Sequence, residues 1–459
     1  MKNLHNLSEL RLHFIGIGGI SMSGLAKLMC HNGAIVSGSD VGDSKELRIL
    51  KQCGVTIYHD HLSENISDDV DIVVYTGAIK SNNPELVRAR ELNIKIMERS
   101  EFLGIVSKCY KHVIAISGTH GKTTTTAMLG LIMQYAGLNP TIHLGGESIN
   151  LRGNTIIGDN DYFVVEACEY RESFRFLEPD ISLITNIELD HLDFYPDYDS
   201  IYNAFARFAA RGKVLIANNE IKMEHSNYIS IGSDWQVKNV EFIGNGYNFN
   251  VYYLNKYYET FRLNSIGLHN ISNALFAIAT AHFLGIDKIK MVEALSDYMG
   301  VERRYEKIAA INNCNVIIDY AHHPTELVAS IGGINSVYKR VLYIFQPHTY
   351  SRTLNLFNDF LEVFNGLKDI VIYKTYPARE EAIEGGDGWD LYLALEVENK
   401  SYFYDITSIL EYIYDNAIDY DCILVLGAGD LADKLKALFN SNINDDYHKK
   451  KQFDGGTVN

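Results

Sequence analysis

Short apolar runs alternate with amphipathic segments and glycine turns along most of the chain. Residues 10–40, LRLHFIGIGGISMSGLAKLMCHNGAIVSGSD, predict a strand, a glycine turn, a helix that ends at Gly33 and a second strand. Further apolar runs at 71–79 and 93–97 continue the alternation to about residue 107. This pattern predicts a first α/β domain over residues 1–107.

A second α/β domain is predicted over residues 108–299. HVIAIS (112–117) reads as a strand, and a glycine loop and a helix from Lys122 to Ala136 follow it, with Gly137 as the helix stop. YFVVEAC (162–168) and ISLITNI (181–187) read as short buried strands. Residues 211–265 suggest an antiparallel or mixed region, and residues 269–285 predict a helix.

A third domain, residues 300–459, repeats the pattern of a strand followed by a loop. Its predicted strands are NVIID, VLYIF, DIVIY and CILVL, and the C-terminal HKKKQFDGGTVN is predicted to be frayed. The fold class expected from these three domains is α/β. A chain of 459 residues is long enough for three well-buried cores.

Composition narrows the class of protein. The apolar content of 47% and charged content of 22% are ordinary for a globular protein, and no apolar run is long enough for a membrane span. The N-terminus lacks the features of an export signal, so a cytoplasmic location is expected. A net charge of −17 disfavours nucleic acid as a partner. Six scattered cysteines with no CxxC pair argue against a disulfide framework or a zinc site, and the oligomeric state stays open.

The stretch SGTHGKTTTT (117–126) carries the strongest chemical signal. A strand, a glycine loop and a helix start direct backbone amides and the positive end of a helix dipole at one point, which favours phosphate. Lys122 can reach terminal phosphate oxygens and Thr123 can ligate magnesium. The loop is shorter than the common phosphate-binding loop, which would have a glycine where this chain has Ile116.

Polar residues after two neighbouring strands are candidate metal ligands, because ligands of open parallel sheets bind beyond the carboxyl ends of strands. Glu166 ends an apolar strand, and carboxylates and hydroxyls are the ligands that magnesium prefers. TNIELDHLDFY (185–195) places His191 after the next strand as a ligand for a second divalent cation. A solvated loop is the alternative for this stretch.

The glycine turn GIGGISMSG (16–24) nearly matches a dinucleotide-binding fingerprint, but Ser21 occupies its third glycine position. A nicotinamide-binding domain would use Asp40 for a ribose hydroxyl. The sequence alone leaves open a dehydrogenase that uses this turn and a nucleotide-gated binding protein without turnover.

The motifs GTHGKTTT, EACEYRESF, TNIELDHLDFY, DYAHHPTE and FQPHTYSRT together resemble those of the Mur ligase family, from about residue 11 to residue 431. The resemblance implies a Rossmann-like N-terminal domain that binds a UDP-sugar, a central P-loop ATPase-like domain and a Rossmann-like C-terminal domain for the amino acid and the ribose side of ATP. It implies an ATP- and magnesium-dependent ligase, with two magnesium ions expected, that joins L-alanine to UDP-N-acetylmuramate through an acyl phosphate. A ligase that attaches a whole tripeptide to the same sugar is the alternative within the family.

The resemblance also implies roles for individual residues. The catalytic set is Lys122, Glu166, His191 and Arg352, and the metal ligands are Thr123, Glu166 and His191. The residues expected to bind ATP are Gly118, Thr119, His120, Gly121, Lys122, Thr123, Thr124, His269, Asn270, Asn273, Arg304 and Asp319. The residues expected to bind the UDP-sugar are Gly16, Gly18, Gly19, Ser21, Thr76, Asn83 and Asn154. The amino acid is expected at Tyr320, His322 and Arg352.

Three of these positions have a simpler interpretation from the residues themselves. Asn270 can cap the helix that follows it, and Asn83 can form an ordinary Asn-Pro turn. His322 and His323 with Glu326 could suggest a metal site, although no third ligand follows at the usual spacing. Many relatives carry an arginine where this chain has Thr349, which leaves Arg352 as the guanidinium in that loop.

Overall fold

A computed structural model describes residues 9–244, 246–378 and 380–441. They fall into two compact units. The described residues up to Asn264 form one unit together with Asn270–Val301, and Ser265–His269 form the other with the described residues from Glu302 onward. The predicted frayed tail lies outside the described residues. Within the described ranges, we find no helix with the length and apolarity needed to cross a bilayer.

The first unit opens with a five-stranded parallel sheet flanked by helices. Its elements are β1 (Arg11–Ile15), α1 (Ile20–His31), β2 (Ile35–Ser39), α2 (Lys45–Gln52), β3 (Thr56–Tyr58), β4 (Ile72–Tyr75), α3 (Pro84–Glu91), β5 (Lys95–Glu98) and α4 (Arg99–Ser107). The strand order is β3-β2-β1-β4-β5. The predicted strand, turn, helix and strand at 10–40 are confirmed. Because β2 and β4 lie on opposite sides of β1, the glycine turn after β1 sits at the switch point where open α/β sheets bind ligands.

A ten-stranded mixed sheet forms the rest of this unit. Its elements are β6 (His112–Ser117), α5 (Lys122–Tyr135), β7 (Pro140–Ser148), β8 (Gly153–Ile156), β9 (Asp159–Glu166), β10 (Ile181–Ile184), α6 (Tyr198–Ala209), β11 (Val214–Asn218), β12 (Tyr228–Ile231), β13 (Trp235–Ile243), β14 (Gly246–Tyr253), β15 (Lys256–Leu263), α7 (His269–Phe283) and α8 (Lys288–Ser296). The strand order is β15-β14-β13-β12-β11-β10-β6-β9-β7-β8. The mixed region predicted at 211–265 is confirmed, since β11 and β12 pair in parallel while β13 to β15 are antiparallel.

One apolar core runs from the first sheet into the second. Phe14 of β1 meets Phe102 of α4 edge to face, with ring centroids 5.8 Å apart. The same core includes Phe163 of β9 and Phe205 of α6, all fully buried. The opposite face of the ten-stranded sheet is covered by α5, α7 and α8. The two sheets therefore share buried apolar contacts, which explains why they form one compact unit.

The second unit holds a six-stranded sheet with helices on both faces. Its elements are β16 (Glu306–Ile311), β17 (Cys314–Asp319), α9 (Pro324–Asn335), β18 (Val341–Phe345), α10 (Tyr350–Asn355), α11 (Phe357–Asn365), β19 (Asp369–Tyr373), α12 (Gly388–Ala394), β20 (Asn399–Phe403), α13 (Ile406–Asn416), β21 (Cys422–Leu426) and α14 (Leu431–Asn440). The order is β16-β17-β21-β18-β19-β20, and only β16 is antiparallel to its neighbour. All four predicted strands are confirmed.

Candidate active site

The loop between β6 and α5 is built around two glycines in the left-handed region. Gly118 has φ +137° and Gly121 has φ +82°. A Cβ at Gly118 would overlap Thr185 Oγ1, and one at Gly121 would overlap Asn273 Oδ1. Neither position can accept a side chain without displacing its neighbour. The loop therefore closes tightly onto the helix start, as a phosphate-binding turn requires.

The segment after β10 braces this loop. Thr119 donates its backbone N–H to Asn186 O at 3.1 Å, and His120 donates its N–H to Asn186 Oδ1 at 2.9 Å. Thr185 Oγ1 donates to His120 O at 2.6 Å, and Glu188 N donates to Thr119 Oγ1 at 2.9 Å. The polar start of TNIELDHLDFY is thus not a freely solvated loop, because it fixes the shape of the phosphate loop.

Lys122 folds back over its own loop and pairs with Glu169. Its Nζ donates to Gly118 O at 2.5 Å, to Thr119 O at 3.0 Å and to Glu169 Oε1 at 3.0 Å, and it lies 2.9 Å from Glu169 Oε2 as an ion pair. The side chains of Lys122 and Glu169 are 15% and 2% exposed. Burial would raise the pKa of Glu169, but the Lys122 ammonium and His191 outweigh it and hold that pKa below its usual value. Burial would lower the pKa of Lys122, but Glu169 raises it above the usual value. This is a fully charged, buried pair.

Thr123 and Glu166 bring two oxygen ligands together at the start of α5. Thr123 Oγ1 donates to Glu166 Oε2 at 2.7 Å, and Gly145 N of β7 donates to the same oxygen at 2.8 Å. A hydroxyl and a carboxylate at this separation are the oxygen donors that a hard divalent cation takes. Thr123 and Glu166 therefore have the chemistry that would suit a magnesium ion.

His191 lies on the Lys122 side of the site. Its Nε2 is 3.3 Å from Glu169 Oε1, and its ring packs 4.7 Å from the ring of Tyr170. Its backbone has φ +56°, an uncommon conformation for histidine, and its N–H donates to Asp190 Oδ1 at 2.7 Å. Glu169 thus contacts both Lys122 and His191, which the sequence pattern alone did not predict.

The threonines of α5 and the asparagines of α7 surround the same loop. Thr124 is buried, and Thr126 Oγ1 donates to Lys122 O at 2.8 Å, an internal bond that helices tolerate. Asn273 Nδ2 donates to Asn270 Oδ1 at 3.2 Å, and both side chains are buried. Asn273 lies against Gly121, so the structure places this part of α7 beside the phosphate loop.

The first glycine turn uses most of its own amides internally. Gly16 N and Ile17 N donate to Ser39 O, Gly18 N donates to Asp40 Oδ2 at 2.9 Å, and Gly19 N donates to Gly16 O. Gly16 has φ +80°, and a Cβ there would lie 2.8 Å from Thr76 Cγ2, so Thr76 packs against the turn. Asp40 accepts backbone N–H groups on both oxygens, because its Oδ1 takes Gly42 N at 3.0 Å. This carboxylate shapes the turn.

The remaining residues expected at the UDP-sugar have structural partners. Asn83 caps α3, since its Oδ1 accepts Glu85 N at 2.9 Å and Leu86 N at 3.3 Å, and Pro84 is the first residue of that helix. Asn154 donates from Nδ2 to Ile20 O at 2.6 Å, which joins β8 to the start of α1. Ser21 Oγ lies 2.8 Å from His143 Nε2 and 3.1 Å from Arg99 NH1.

In the second unit, Asp319 organises the backbone around it. Its Oδ1 accepts Ala321 N at 2.9 Å and its Oδ2 accepts Tyr305 N at 3.0 Å. Arg304 pairs with Glu326 at 3.3 Å and approaches Asp319 at 3.9 Å. Burial raises the pKa of Asp319 despite the nearby Arg304. At the other end of this small network, the ring of His269 stacks on Tyr305 at 5.9 Å.

Aromatic and imidazole rings surround the guanidinium groups of this unit. The guanidinium of Arg304 lies 5.4 Å from the centre of the Tyr320 ring, and His322 meets Tyr320 edge to face at 5.4 Å. Arg352 NH1 donates to His348 O at 2.9 Å and lies 3.1 Å from His348 Nδ1. Burial lowers the pKa of His322 to about 3, and burial with Arg352 lowers the pKa of His348 to about 4. Both imidazoles are therefore neutral near pH 7.

His322 and Glu326 form a contact within the protein. His322 Nδ1 lies 3.0 Å from Tyr320 O and 3.3 Å from Glu326 Oε2, and the His322 backbone N–H donates to Glu326 Oε2 at 3.2 Å. Glu326 also accepts Arg304, so its carboxylate is shared between an imidazole and a guanidinium. These contacts explain the His-Glu spacing without a metal.

Comparison with known families identifies the family to which the chain belongs. Residues 11–111 match the model described as Mur ligase family, catalytic domain. Residues 116–281 match the Mur ligase middle domain, and residues 303–429 match the model described as Mur ligase, glutamate ligase domain. This chain belongs to the Mur ligase family.

Within that family, this Mur ligase is similar to several named ligases. It is 42% identical over 441 residues to the UDP-N-acetylmuramate–L-alanine ligase of Acetivibrio thermocellus. The aligned residues cover 92% of this chain and 93% of that protein. Its fold resembles the crystal structure of the UDP-N-acetylmuramate-alanine ligase MurC from Thermotoga maritima, with a TM-score of 0.81, 27% identity and coverage of 95% and 100%. It also resembles a murein peptide ligase from Psychrobacter arcticus, with a TM-score of 0.69, 25% identity and coverage of 94% and 99%.

Glu169, His143 and Arg99 of this Mur ligase contact predicted site residues, although the sequence did not single them out. Glu169 pairs with Lys122, while His143 and Arg99 contact Ser21. Glu169 could have been found from the sequence, since it is the second carboxylate of EACEYRESF, directly after a strand that ends at the site. Arg99 and His143 give no such signal, because neither lies in a motif and both reach Ser21 from distant elements.

Proposed function

We propose that this chain is the ATP-dependent ligase that joins L-alanine to UDP-N-acetylmuramate in peptidoglycan precursor synthesis, giving ADP and phosphate. The arrangement of Lys122, Thr123 and Glu166 at the start of α5 is the observation that carries the proposal. It combines a cation for phosphate oxygens with a hydroxyl and a carboxylate for magnesium. The strong similarity to relatives named for this reaction supports the choice of substrates.

The loop Gly118–Thr124 binds the ATP phosphates. The amides at the start of α5 face the phosphates, because the first turn of a helix leaves its N–H groups without acceptors in the helix. Lys122 exchanges its contact with Glu169 for phosphate oxygens as ATP binds. Thr123 and Glu166 hold one magnesium ion, and His191 is the protein ligand for a second. Bound magnesium offsets negative charge between the phosphates and the carboxylate that approaches them.

The other ATP-binding residues are assigned from the family resemblance. Asn270 and Asn273 fall on α7 beside Gly121, which places two amide side chains near the phosphate loop. His269, Arg304 and Asp319 complete the proposed set on the adenine, phosphate and ribose sides. Since Asp319 uses both oxygens for backbone N–H groups, its ribose contact requires an additional hydrogen bond to one of those oxygens.

The UDP-sugar is assigned to residues 1–107 together with Asn154, and ATP to residues 108–299. Residues 300–459 are assigned to the amino acid and, through Arg304 and Asp319, to the ribose and phosphate side of ATP. Gly16, Gly18, Gly19, Ser21 and Thr76 surround the proposed diphosphate site. Asn83 shapes that region as the cap of α3, and Asn154 does so through its bond to the start of α1. The substrates are small molecules, and we place the reaction in the cytoplasm.

The L-alanine pocket is assigned to Tyr320, His322 and Arg352. The guanidinium of Arg352 binds the amino-acid carboxylate, and the contact with His348 fixes the direction of that guanidinium. His322 is neutral near pH 7, so it adds no charge that would repel the amine of the substrate.

The proposed reaction has two steps, phosphorylation of the sugar carboxylate and displacement of the phosphate by the amine, and atoms and charge balance in each. A carboxylate oxygen of UDP-N-acetylmuramate attacks the γ-phosphorus of ATP, and the bond between that phosphorus and the β,γ-bridging oxygen breaks. ADP is released, and the UDP-sugar now carries an acyl phosphate. The amine of L-alanine then attacks the acyl carbon, the phosphate leaves with its electron pair, and the amide nitrogen loses a proton. The protein contributes positioning and charge stabilisation, because phosphoryl transfer needs little covalent help.

Phosphate release with UDP-N-acetylmuramate, ATP and a panel of acceptors tests this proposal. We expect release that depends on L-alanine, with a mass increase of the UDP-sugar by one alanine residue. Phosphate release that depends on the tripeptide instead would assign the chain to the alternative reaction, in which a whole tripeptide is attached to the same sugar. Release without any acceptor or UDP-sugar, or a nicotinamide-dependent absorbance change, would contradict ligase activity.

A further inference from the structure

Two residues that follow β19 contact the loop that carries Arg352. Tyr376 and Glu380 lie after β19, and the loop after β18 leads through His348 into α10. Backbone pairing joins the two segments, because His348 and Tyr376 form a parallel bridge and Tyr376 N donates to Pro347 O at 2.9 Å. Since β18 and β19 are parallel neighbours, both segments leave the sheet side by side at the same edge.

Glu380 holds the residue next to Arg352 with both of its carboxylate oxygens. Ser351 donates its backbone N–H to Glu380 Oε2 at 2.9 Å and its hydroxyl to Glu380 Oε1 at 2.5 Å. Hydrogen bonds to a carboxylate are stronger than those to a neutral acceptor, and two of them fix the partner in one orientation. The contact with Glu380 therefore fixes the backbone of α10 one residue before Arg352.

Tyr376 acts on Arg352 through His348. The Tyr376 and His348 rings are stacked, with centroids 5.6 Å apart and planes inclined by 19°. Arg352 NH1 donates to His348 O at 2.9 Å and lies 3.1 Å from His348 Nδ1. Because an arginine N–H can only donate, Nδ1 is the acceptor and the ring proton of the neutral His348 is assigned to Nε2. The stacked Tyr376 ring thus fixes the imidazole that directs the guanidinium.

The loop between these contacts has a shape that it would not keep by itself. Thr349 has φ +72° and ψ 161°, a conformation that is rare for any residue with a side chain and rarest for a β-branched one. α10 has six residues, too few for a helix that is stable alone. A Cβ at Gly386 would lie 2.5 Å from Tyr350 O, so the chain beyond Glu380 also packs tightly on α10. The position of Arg352 therefore depends on contacts from outside its own loop.

We propose that Glu380 and Tyr376 are positioning residues that hold the guanidinium of Arg352 in the orientation that binds the amino-acid carboxylate. Glu380 acts through Ser351, and Tyr376 acts through His348. This inference rests on the proposed function, which assigns Arg352 to that carboxylate. A guanidinium binds a carboxylate by two parallel hydrogen bonds only when the two planes are aligned. Residues 346–352 contain no other lysine or arginine, so the orientation of this one group decides the affinity for the amino acid.

Steady-state kinetics of phosphate release with L-alanine test the role of Glu380. We expect Glu380→Ala to raise the KM for L-alanine by about ten- to hundredfold, because a displacement of about 1 Å is enough for a loss of that size. The value of kcat at saturating L-alanine and the KM for ATP and for UDP-N-acetylmuramate should not change, since only binding of the amino acid is weakened. Glu380→Gln keeps the size and one acceptor oxygen, and we expect a smaller rise.

Glu381→Ala is the matched control, because it removes the neighbouring, exposed carboxylate and should change none of these constants. An unchanged KM for L-alanine in Glu380→Ala would overturn the inference. A rise in all three KM values, or a fall in kcat, would overturn it as well, since either result indicates a general structural role. If Glu380→Ala does not fold, Glu380→Gln and the Tyr376 variants decide the question.

The Tyr376 variants separate stacking from other effects. Tyr376→Ala should raise the KM for L-alanine about two- to tenfold, as expected for a lost ring contact, and Tyr376→Phe should restore it because the ring is kept. In an Arg352→Ala background, neither Glu380→Ala nor Tyr376→Ala should lower kcat/KM for L-alanine further, because no guanidinium remains to be positioned. A further fall in that background, or no recovery with phenylalanine, would contradict positioning through Arg352.

Hydrogen exchange gives a readout that does not depend on the reaction. Glu380→Ala should remove protection of the Ser351 amide and speed exchange across α10, while exchange in β18 stays unchanged. Unchanged exchange in α10 would overturn the positioning role whatever the kinetics show. If the unaltered protein releases no phosphate with L-alanine, the proposed function fails, and the exchange result still decides whether Glu380 holds α10 in place.

Discussion

Replacing Glu169 by glutamine tests the contact that holds Lys122 before ATP binds. The change keeps size and one acceptor oxygen but removes the charge opposite the ammonium, whose Nζ is 2.9 and 3.0 Å from the two carboxylate oxygens. Removing one partner of a buried pair costs about 3–5 kcal/mol. Lys122 is 15% exposed and keeps its bonds to Gly118 O and Thr119 O, so we expect the lower end, about 3 kcal/mol.

Denaturant unfolding of the first unit, followed with and without a non-hydrolysable ATP analogue, measures this effect. We expect Glu169→Gln to lower the free energy of unfolding without nucleotide and to bind the analogue as tightly as the unaltered protein or more tightly. The phosphates then supply the negative charge that Lys122 has lost. A double-mutant cycle with Lys122→Met should give a coupling energy of about 2 kcal/mol or more for the pair.

The matched control is Glu172→Gln on the same segment. Glu172 pairs with Arg207, whose side chain is 57% exposed, so its loss should cost less than about 1 kcal/mol. Equal destabilisation by the two changes would refute the reasoning about burial. Loss of analogue binding in Glu169→Gln would refute the claim that Glu169 competes with the phosphates for Lys122. Glu169 would then act as a ligand of the nucleotide or its metal.

Three further outcomes are expected. Lys122→Ala should lower kcat by several orders of magnitude while leaving the calorimetric affinity for UDP-N-acetylmuramate within about twofold, because transferring a phosphoryl group needs that charge and binding the sugar does not; near-normal turnover would contradict the role. Glu166→Gln should raise the magnesium concentration needed for half-maximal phosphate release at least tenfold, and an unchanged requirement would place the metal elsewhere. His143, His322 and His348 have folded pKa values of about 3, 3 and 4, below the ordinary 6.5, so the unfolded chain binds protons first and stability should fall as pH drops from about 6.5 to 4. Each histidine contributes up to about 1.4 kcal/mol of unfolding free energy per pH unit. In denaturant unfolding across this range, the unfolding free energy of His143→Asn should fall less steeply with decreasing pH than that of the unaltered protein. An identical slope would contradict a neutral buried His143.

The parts of the fold that depend on local pattern could be predicted from the sequence. The run HVIAIS, the glycine loop and the helix to Ala136 correspond to β6 and α5, because apolar periodicity and a glycine stop act over a few residues. The proximity of Thr123 and Glu166 also follows from a general rule. Thr123 lies at the start of the helix after β6 and Glu166 lies at the end of β9, and the carboxyl ends of parallel strands lie at one edge of the sheet.

Choices between distant partners could not be predicted in this way. Lys122 remains a predicted phosphate contact, and its pairing with Glu169 was not predicted, because a buried charge takes an opposite charge that the loop motif does not specify. Asn83 and Gly18 remain predicted contacts of the UDP-sugar. Asn83 caps α3, in line with the Asn-Pro alternative from the sequence, whereas the bond from Gly18 N to Asp40 joins residues that no local pattern pairs. The contact of His143 with Ser21 joins residues 122 positions apart, and no local pattern contains that information.

Isotope transfer tests the central claim most directly. UDP-N-acetylmuramate labelled with ¹⁸O in both carboxylate oxygens is incubated with ATP, magnesium and L-alanine, and the released phosphate is analysed by mass spectrometry. The proposed attack of the carboxylate on the γ-phosphorus predicts that each phosphate carries one ¹⁸O from the sugar. Phosphate without the label, formed while alanine is still being joined, would contradict the acyl phosphate route.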